Sequence, residues 1–217
     1  MSPPKGSSIN LDISNGTGAV LLSNSSIDKT LESISITNIG EEGIRTITGT
    51  LSKINFNARE LTITYPVNNK ELKCYYRDDL EGVLLENPRE FIQVKGMVIL
   101  DDEGYPKQIN EVELITEMNL SPFLINQIKL NDNRILSPRG NPLEITPFLD
   151  ESKQLICLEK QELGIDVYSY TRDELASELD AQIDFLWTTY AEGDTDKMTP
   201  LAKQLADSLR RSFQVVP

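Results

Sequence analysis

Alternation of apolar and polar residues dominates the chain between residues 44 and 117. In "GIRTITGTLSKINF" (43–56) the residues Ile47, Gly49 and Leu51 share one face of a long strand. The phase shifts near Ser52 and Lys53, so that Ile54 and Phe56 continue the apolar side. One extra residue in such an alternation is the mark of a β-bulge. "RELTITYPV" (59–67) and "KELKCYYR" (70–77) give a second and a third strand. "DDLEGVLLENP" (78–88) then predicts a short helix, capped by Asp78 or Asp79 and ended by Pro88. "REFIQVKGMVILDD" (89–102) and "KQINEVELIT" (107–116) complete five strands, with "EGYP" (103–106) as the turn between them.

Outside this region the pattern changes. Residues 1–8 predict a tail, and Asn15-Gly16 between "INLDIS" and "AVLLSN" predicts a hairpin. "SISIT" within 28–40 alternates like a strand, although Leu31, Ile34 and Ile39 could also line a helix. Residues 118–146 predict a connector with its own hairpin, "FLINQIKL" and "LEITPFL" flanking turns rich in Pro, Gly and Asn. From 147 onward "QLICLE", a turn at "KQELG", and "IDVYSY" predict an antiparallel pair. Thr171 and Glu174 form a capping box, the Thr171 hydroxyl taking the Glu174 amide and the carboxylate reaching back to the Thr171 amide. Leu175, Leu179, Ile183, Leu186, Trp187 and Tyr190 follow at helical spacing. A last helix starts at Thr199-Pro200. Its residues Leu201, Leu205, Leu209 and Phe213 fall on one stripe, which either packs on the preceding helix or is offered to a partner, a second copy or another protein.

The resulting fold class is α+β, with units at 1–43, 44–117, 118–146 and 147–217. A long bent first strand and a helix between strands three and four resemble the OB-fold, a five-stranded small barrel. That resemblance covers about a third of the chain and implies a binding module for nucleic acid or protein. In the last unit, Leu163-Gly164 at the turn and Thr171, Asp173, Glu174 and Leu175 at the helix start resemble the HicB-like module of bacterial antitoxins, a small ββα unit. Gln161 stands where that family has proline, and Ser169 where it has glycine. No helix-turn-helix or ribbon pattern follows, so DNA-binding autoregulation is not implied. The resemblance implies a protein that binds a toxin-like partner, and a cytoplasmic location is expected by default because no signal-peptide pattern is read.

Composition narrows the chemistry. The 217 residues carry a net charge of −13, which repels nucleic-acid phosphates and suits either a basic protein partner or a protein that simply stays soluble, the commoner reason for such acidity. No histidine is present, which excludes Ser-His-Asp and Cys-His catalysis and histidine zinc sites. Two cysteines, Cys74 and Cys157, cannot build a zinc site and read as buried thiols. No Walker A loop or EF-hand spacing occurs, so neither cofactor nor metal is expected. Asp78–Asp79 and Asp101–Asp102 are adjacent pairs at strand ends or turns. Strand neighbours point to opposite faces, so these are not acid/base pairs. No run approaches the roughly 18 apolar residues of a membrane helix, and no signal peptide opens the chain. The sequence therefore predicts a non-enzymatic interaction protein with a basic partner. The alternative is a single-stranded nucleic-acid binder using Lys73, Tyr75 and Arg77, which alternate on the third barrel strand.

Overall fold

The computed structural model describes residues 11–15, 18–22, 43–81 and 91–216. The strand expected at "SISIT" lies outside them. Strands β1 (Leu11–Asn15) and β2 (Gly18–Leu22) pair antiparallel, Asn15 opposite Gly18.

Five strands close into a barrel: β3 (Gly43–Asn55), β4 (Glu60–Thr64), β5 (Glu71–Tyr75), β6 (Phe91–Leu100) and β7 (Pro106–Glu117). Their order around the barrel is β3-β4-β5-β7-β6. Every contact is antiparallel except β5 with β7, where Lys73 and Cys74 lie beside Gln108 and Ile109. Strand β3 is long because it serves two neighbours. It meets β6 from Gly43 to Thr50 and β4 from Thr50 to Asn55. The bulge falls between Leu51 and Lys53, where the alternation shifts phase. Gly49 sits at the changeover, where a Cβ would stand 2.9 Å from the Thr64 carbonyl oxygen. Only glycine lets the two backbones come that close.

Alternation then fills the interior. On β5, Leu72 and Cys74 are buried and Glu71, Lys73 and Tyr75 are exposed. Ile47, Leu51, Leu61, Ile63, Val94, Ile109 and Ile115 complete the packing. Phe56, expected on the apolar side, is instead 41% exposed, because it lies past the end of β3 in the turn to β4. The helix expected over 78–88 begins as a 3-10 turn, Asp78–Leu80; residues 82–90 lie outside the described ones.

A second core gathers residues from Ile125 to Phe213. Strands β8 (Phe123–Ile125), β9 (Ile128–Lys129), β10 (Ile135–Pro138) and β11 (Leu143–Ile145) supply Ile125, Ile128, Leu136 and Ile145 to it. The segment expected as a connector thus contributes to the same core as the segment after it. Strand β12 (Phe148–Leu149) pairs with β13 (Ile156–Lys160), and β13 with β14 (Ile165–Ser169). Gly164 turns β13 into β14 with a left-handed φ of 67°. Helix α1 (Arg172–Leu186) buries Leu175, Leu179, Ile183 and Leu186 against the sheet face formed by Ile156, Leu158, Ile165 and Val167. Thr171 caps it, its hydroxyl accepting from the Glu174 amide at 3.3 Å. The Glu174 carboxylate accepts from the Ser169 hydroxyl at 2.9 Å, not from the expected Thr171 amide. Helix α2 (Pro200–Ser212) ends at Phe213, which begins β15 (Phe213–Val216), paired with β10. Each fully buried Leu, Ile or Phe contributes about 1.5–3 kcal/mol by leaving water. Both units therefore hold a substantial core of their own.

Candidate functional site

Three surfaces decide what the molecule offers a partner. The first is the outer face of β5. Lys73 and Tyr75 point outward as the alternation requires, and Tyr75 is 36% exposed. Arg77 lies beyond the strand, in extended conformation at the start of the 3-10 turn. Each cation here has a carboxylate beside it. Lys73 Nζ is 3.2 Å from Glu60 Oε2, and Arg77 is 3.5 Å from Asp79. Arg59 pairs with Asp78, and Lys53 with Glu71 at 2.8 Å. Exposed pairs like these add little stability. Their consequence is electrostatic: the face carries no net positive field. An open groove of about 640 Å³ lies alongside, lined by Lys53, Phe56, Asn57, Glu60 and Thr62, and excludes all three stripe residues.

Three of the adjacent aspartates, Asp78, Asp79 and Asp101, are engaged in the same way. Besides the pairs of Asp78 and Asp79, Asp101 accepts the Tyr105 amide at 2.9 Å and the Lys70 ammonium at 3.1 Å. The Tyr105 hydrogen bond, then Lys70, holds the Asp101 carboxyl below its ordinary range. It organises a turn. Among the described residues no three His, Cys, Asp or Glu converge as a metal site. No helix there is long and apolar enough to cross a membrane.

The second surface is the stripe of α2, and the structure divides it. Leu201 is 76% exposed, whereas Leu209 and Phe213 are 1% and 0% exposed. Leu205 lies between, packed on the second core. Gly164 leaves it room: a Cβ there would stand 3.2 Å from Leu205 Cδ1. Helical spacing put the four in one line, but only Leu201, Leu205 and Leu209 are on the helix, Phe213 opens β15, and burial increases from Leu201 at the helix start to Leu209 near its end.

The third surface was not singled out by sequence. The sheet β12-β13-β14 carries α1 on one face only. On the other, Phe148, Cys157 and Tyr168 lie in register across the three strands. Phe148 is 46% and Tyr168 62% exposed. Cys157, expected to be buried like Cys74, is half-buried, because it points to this outer face. Burial, then Asp150 and Asp166, pushes its thiol pKa up. One pair along, Glu159 stands opposite Asp166. Strict alternation in "ICLEK" and "IDVYS" was the signal that would have found these residues.

The open edge of β14 is capped from α1. The Gln182 side chain accepts the Asp166 amide at 2.9 Å and donates to the Asp166 carbonyl at 3.2 Å. No protein-family model, no curated protein and no solved structure matches the chain.

Proposed function

We propose that the protein is a non-enzymatic interaction protein whose partner is a basic, toxin-like protein, acting as an antitoxin-like module. The observation that carries this reading is the placement of charge. Helix α1 exposes Asp173, Glu174 and Glu178 with no basic residue in its last turn. The cations on and around β5, Lys53, Arg59, Lys73 and Arg77, are each paired with a neighbouring carboxylate. The surface field thus favours a cationic partner over a polyanion.

The antiparallel pair β13–β14 leading into α1 supports the HicB-like reading of the last unit. The barrel order β3-β4-β5-β7-β6, with its one parallel contact, supports the OB-like reading of the middle unit. An OB-like barrel is as able to hold a protein as a nucleic acid. The balanced charges on β5 favour the protein. The test is tagged expression in the native host at low salt. A stoichiometric basic protein that co-purifies, and is released by raised salt, is the expected result. Recovery of the chain alone would remove the reading. A salt-sensitive mobility shift of single-stranded nucleic acid, weakened by Lys73→Ala or Arg77→Ala, would favour the alternative.

A further inference from the structure

We infer that the outer face of the β12-β13-β14 sheet docks an extended, arginine-bearing segment of a basic protein. In this arrangement a guanidinium sits between Glu159 and Asp166, against the ring of Tyr168. The inference rests on the reading of the chain as the partner of a basic protein, and adds where that partner binds and through which side chain.

The argument starts from a cost. Glu159 and Asp166 are directly opposite across two antiparallel strands. Like charges so placed repel and destabilise a sheet. Among the described residues no lysine or arginine forms an ion pair with either, the Glu159 carboxylate accepting only from Gln161 at 2.6 Å. The pair therefore contributes nothing to holding β13 to β14. Its two carboxylates form a ready acceptor for one cation.

Arginine fits better than lysine. Its planar fork presents several N–H donors at once, so one side chain can serve two carboxylates. Its flat face also stacks on an aromatic ring, and Tyr168 is the next outward residue along β14, largely exposed. Phe148, on the far strand of the same row, extends the apolar platform for the residues flanking the arginine. A second copy of the chain is a poor occupant, because each copy carries −13. The Gln182 cap on Asp166 keeps the edge of β14 from adding a strand there, which leaves the face as the surface on offer.

The test uses the full chain and a labelled peptide alternating arginine with valine, with its lysine counterpart as comparison, read by fluorescence anisotropy at low ionic strength. The expected result is tighter binding of the arginine peptide, weakened about tenfold by E159Q/D166N and also by Y168A. The double variant E117Q/E144Q removes the same charge elsewhere and is expected to leave binding nearly unchanged. Equal weakening by both double variants, or no effect of Y168A, would overturn the site while leaving a basic partner in place. Absence of binding to either peptide would overturn it too, and the wider reading would then stand on co-purification from the host. Self-association in sedimentation velocity that Y168A abolishes would make a second copy the occupant and overturn the arginine segment.

Discussion

The side chain of Gln154 pairs with the backbone of Thr48 as a strand would. The Thr48 amide donates to Gln154 Oε1 at 3.0 Å, and Gln154 Nε2 donates to the Thr48 carbonyl at 3.0 Å. Both residues are buried, at 8% and 1% exposure. Pairing of β3 with β4 begins only at Thr50, so this stretch of β3 has no strand on that side. Gln93, opposite Thr48 on β6, adds hydrogen bonds to the Thr48 hydroxyl and to the Tyr170 carbonyl. One buried amide thus both completes the barrel edge and joins it to the second unit.

Truncating Gln154 to alanine strands a buried N–H and a buried C=O. Each unsatisfied group costs about 1–3 kcal/mol. Gln154→Ala is expected to lower the urea midpoint by an amount equivalent to about 2–4 kcal/mol. An unchanged midpoint would show that water takes the place of the amide.

Asp150 shapes the turn that presents Gln154. Its carboxylate accepts the Gln154 amide at 2.9 Å, the Leu155 amide at 2.8 Å and the Ser152 hydroxyl at 2.5 Å. Burial alone would raise its pKa, but the hydrogen bonds from Ser152, Leu155 and Gln154 together hold it below the ordinary value. A carboxyl depressed in the folded state gives stability that is present above the unfolded pKa, roughly 4, and lost as pH falls through the folded value. Thermal melts of wild type and Asp150→Asn are expected to differ at pH 6 and to converge as the pH is lowered through the folded value, below the ordinary carboxylate range. A difference that persists at low pH would assign the effect to shape and not to charge.

The Gln182 cap guards an exposed edge, so its loss is expected to cost little stability. Gln182→Ala frees the Asp166 amide and carbonyl for another strand. Concentration-dependent association, seen by light scattering behind size exclusion, is the expected outcome. A strictly monomeric variant at high concentration would show that the edge is protected by other means.

The α2 stripe separates into members of different worth. Leu209→Ala empties a buried site and is expected to cost about 2–5 kcal/mol. Leu201→Ala, at an exposed position, is expected to change stability by less than about 0.5 kcal/mol. Paired denaturant titrations distinguish them, and equal costs would mean that Leu201 is covered in solution.

Much of the architecture was legible because it is written locally. Period-two alternation marked the five barrel strands, and its phase slip marked the bulge at Leu51–Lys53. Thr171 marked the start of α1, although the Glu174 carboxylate found Ser169 as its donor. The candidate surfaces were less legible. Lys73, Tyr75 and Arg77 were identified as one stripe from spacing, while the carboxylates that balance two of them, Glu60 and Asp79, come from the neighbouring strand and the following turn. Phe213 read as the end of a helical stripe and is instead the buried first residue of β15.

The sequence by itself determined the five barrel strands, the β13–β14 pair and the starts of the two long helices, because those features depend on residues two to four positions apart. Only the tertiary structure decided which apolar residues remain exposed, and which polar groups complete which edges. Gln154 and Thr48 are separated by 106 positions, and a hydrogen bond over that distance leaves no period in the chain. The open face carrying Phe148, Tyr168, Glu159 and Asp166 was settled in the same way: α1 covers one side of a three-stranded sheet and leaves the other to solvent.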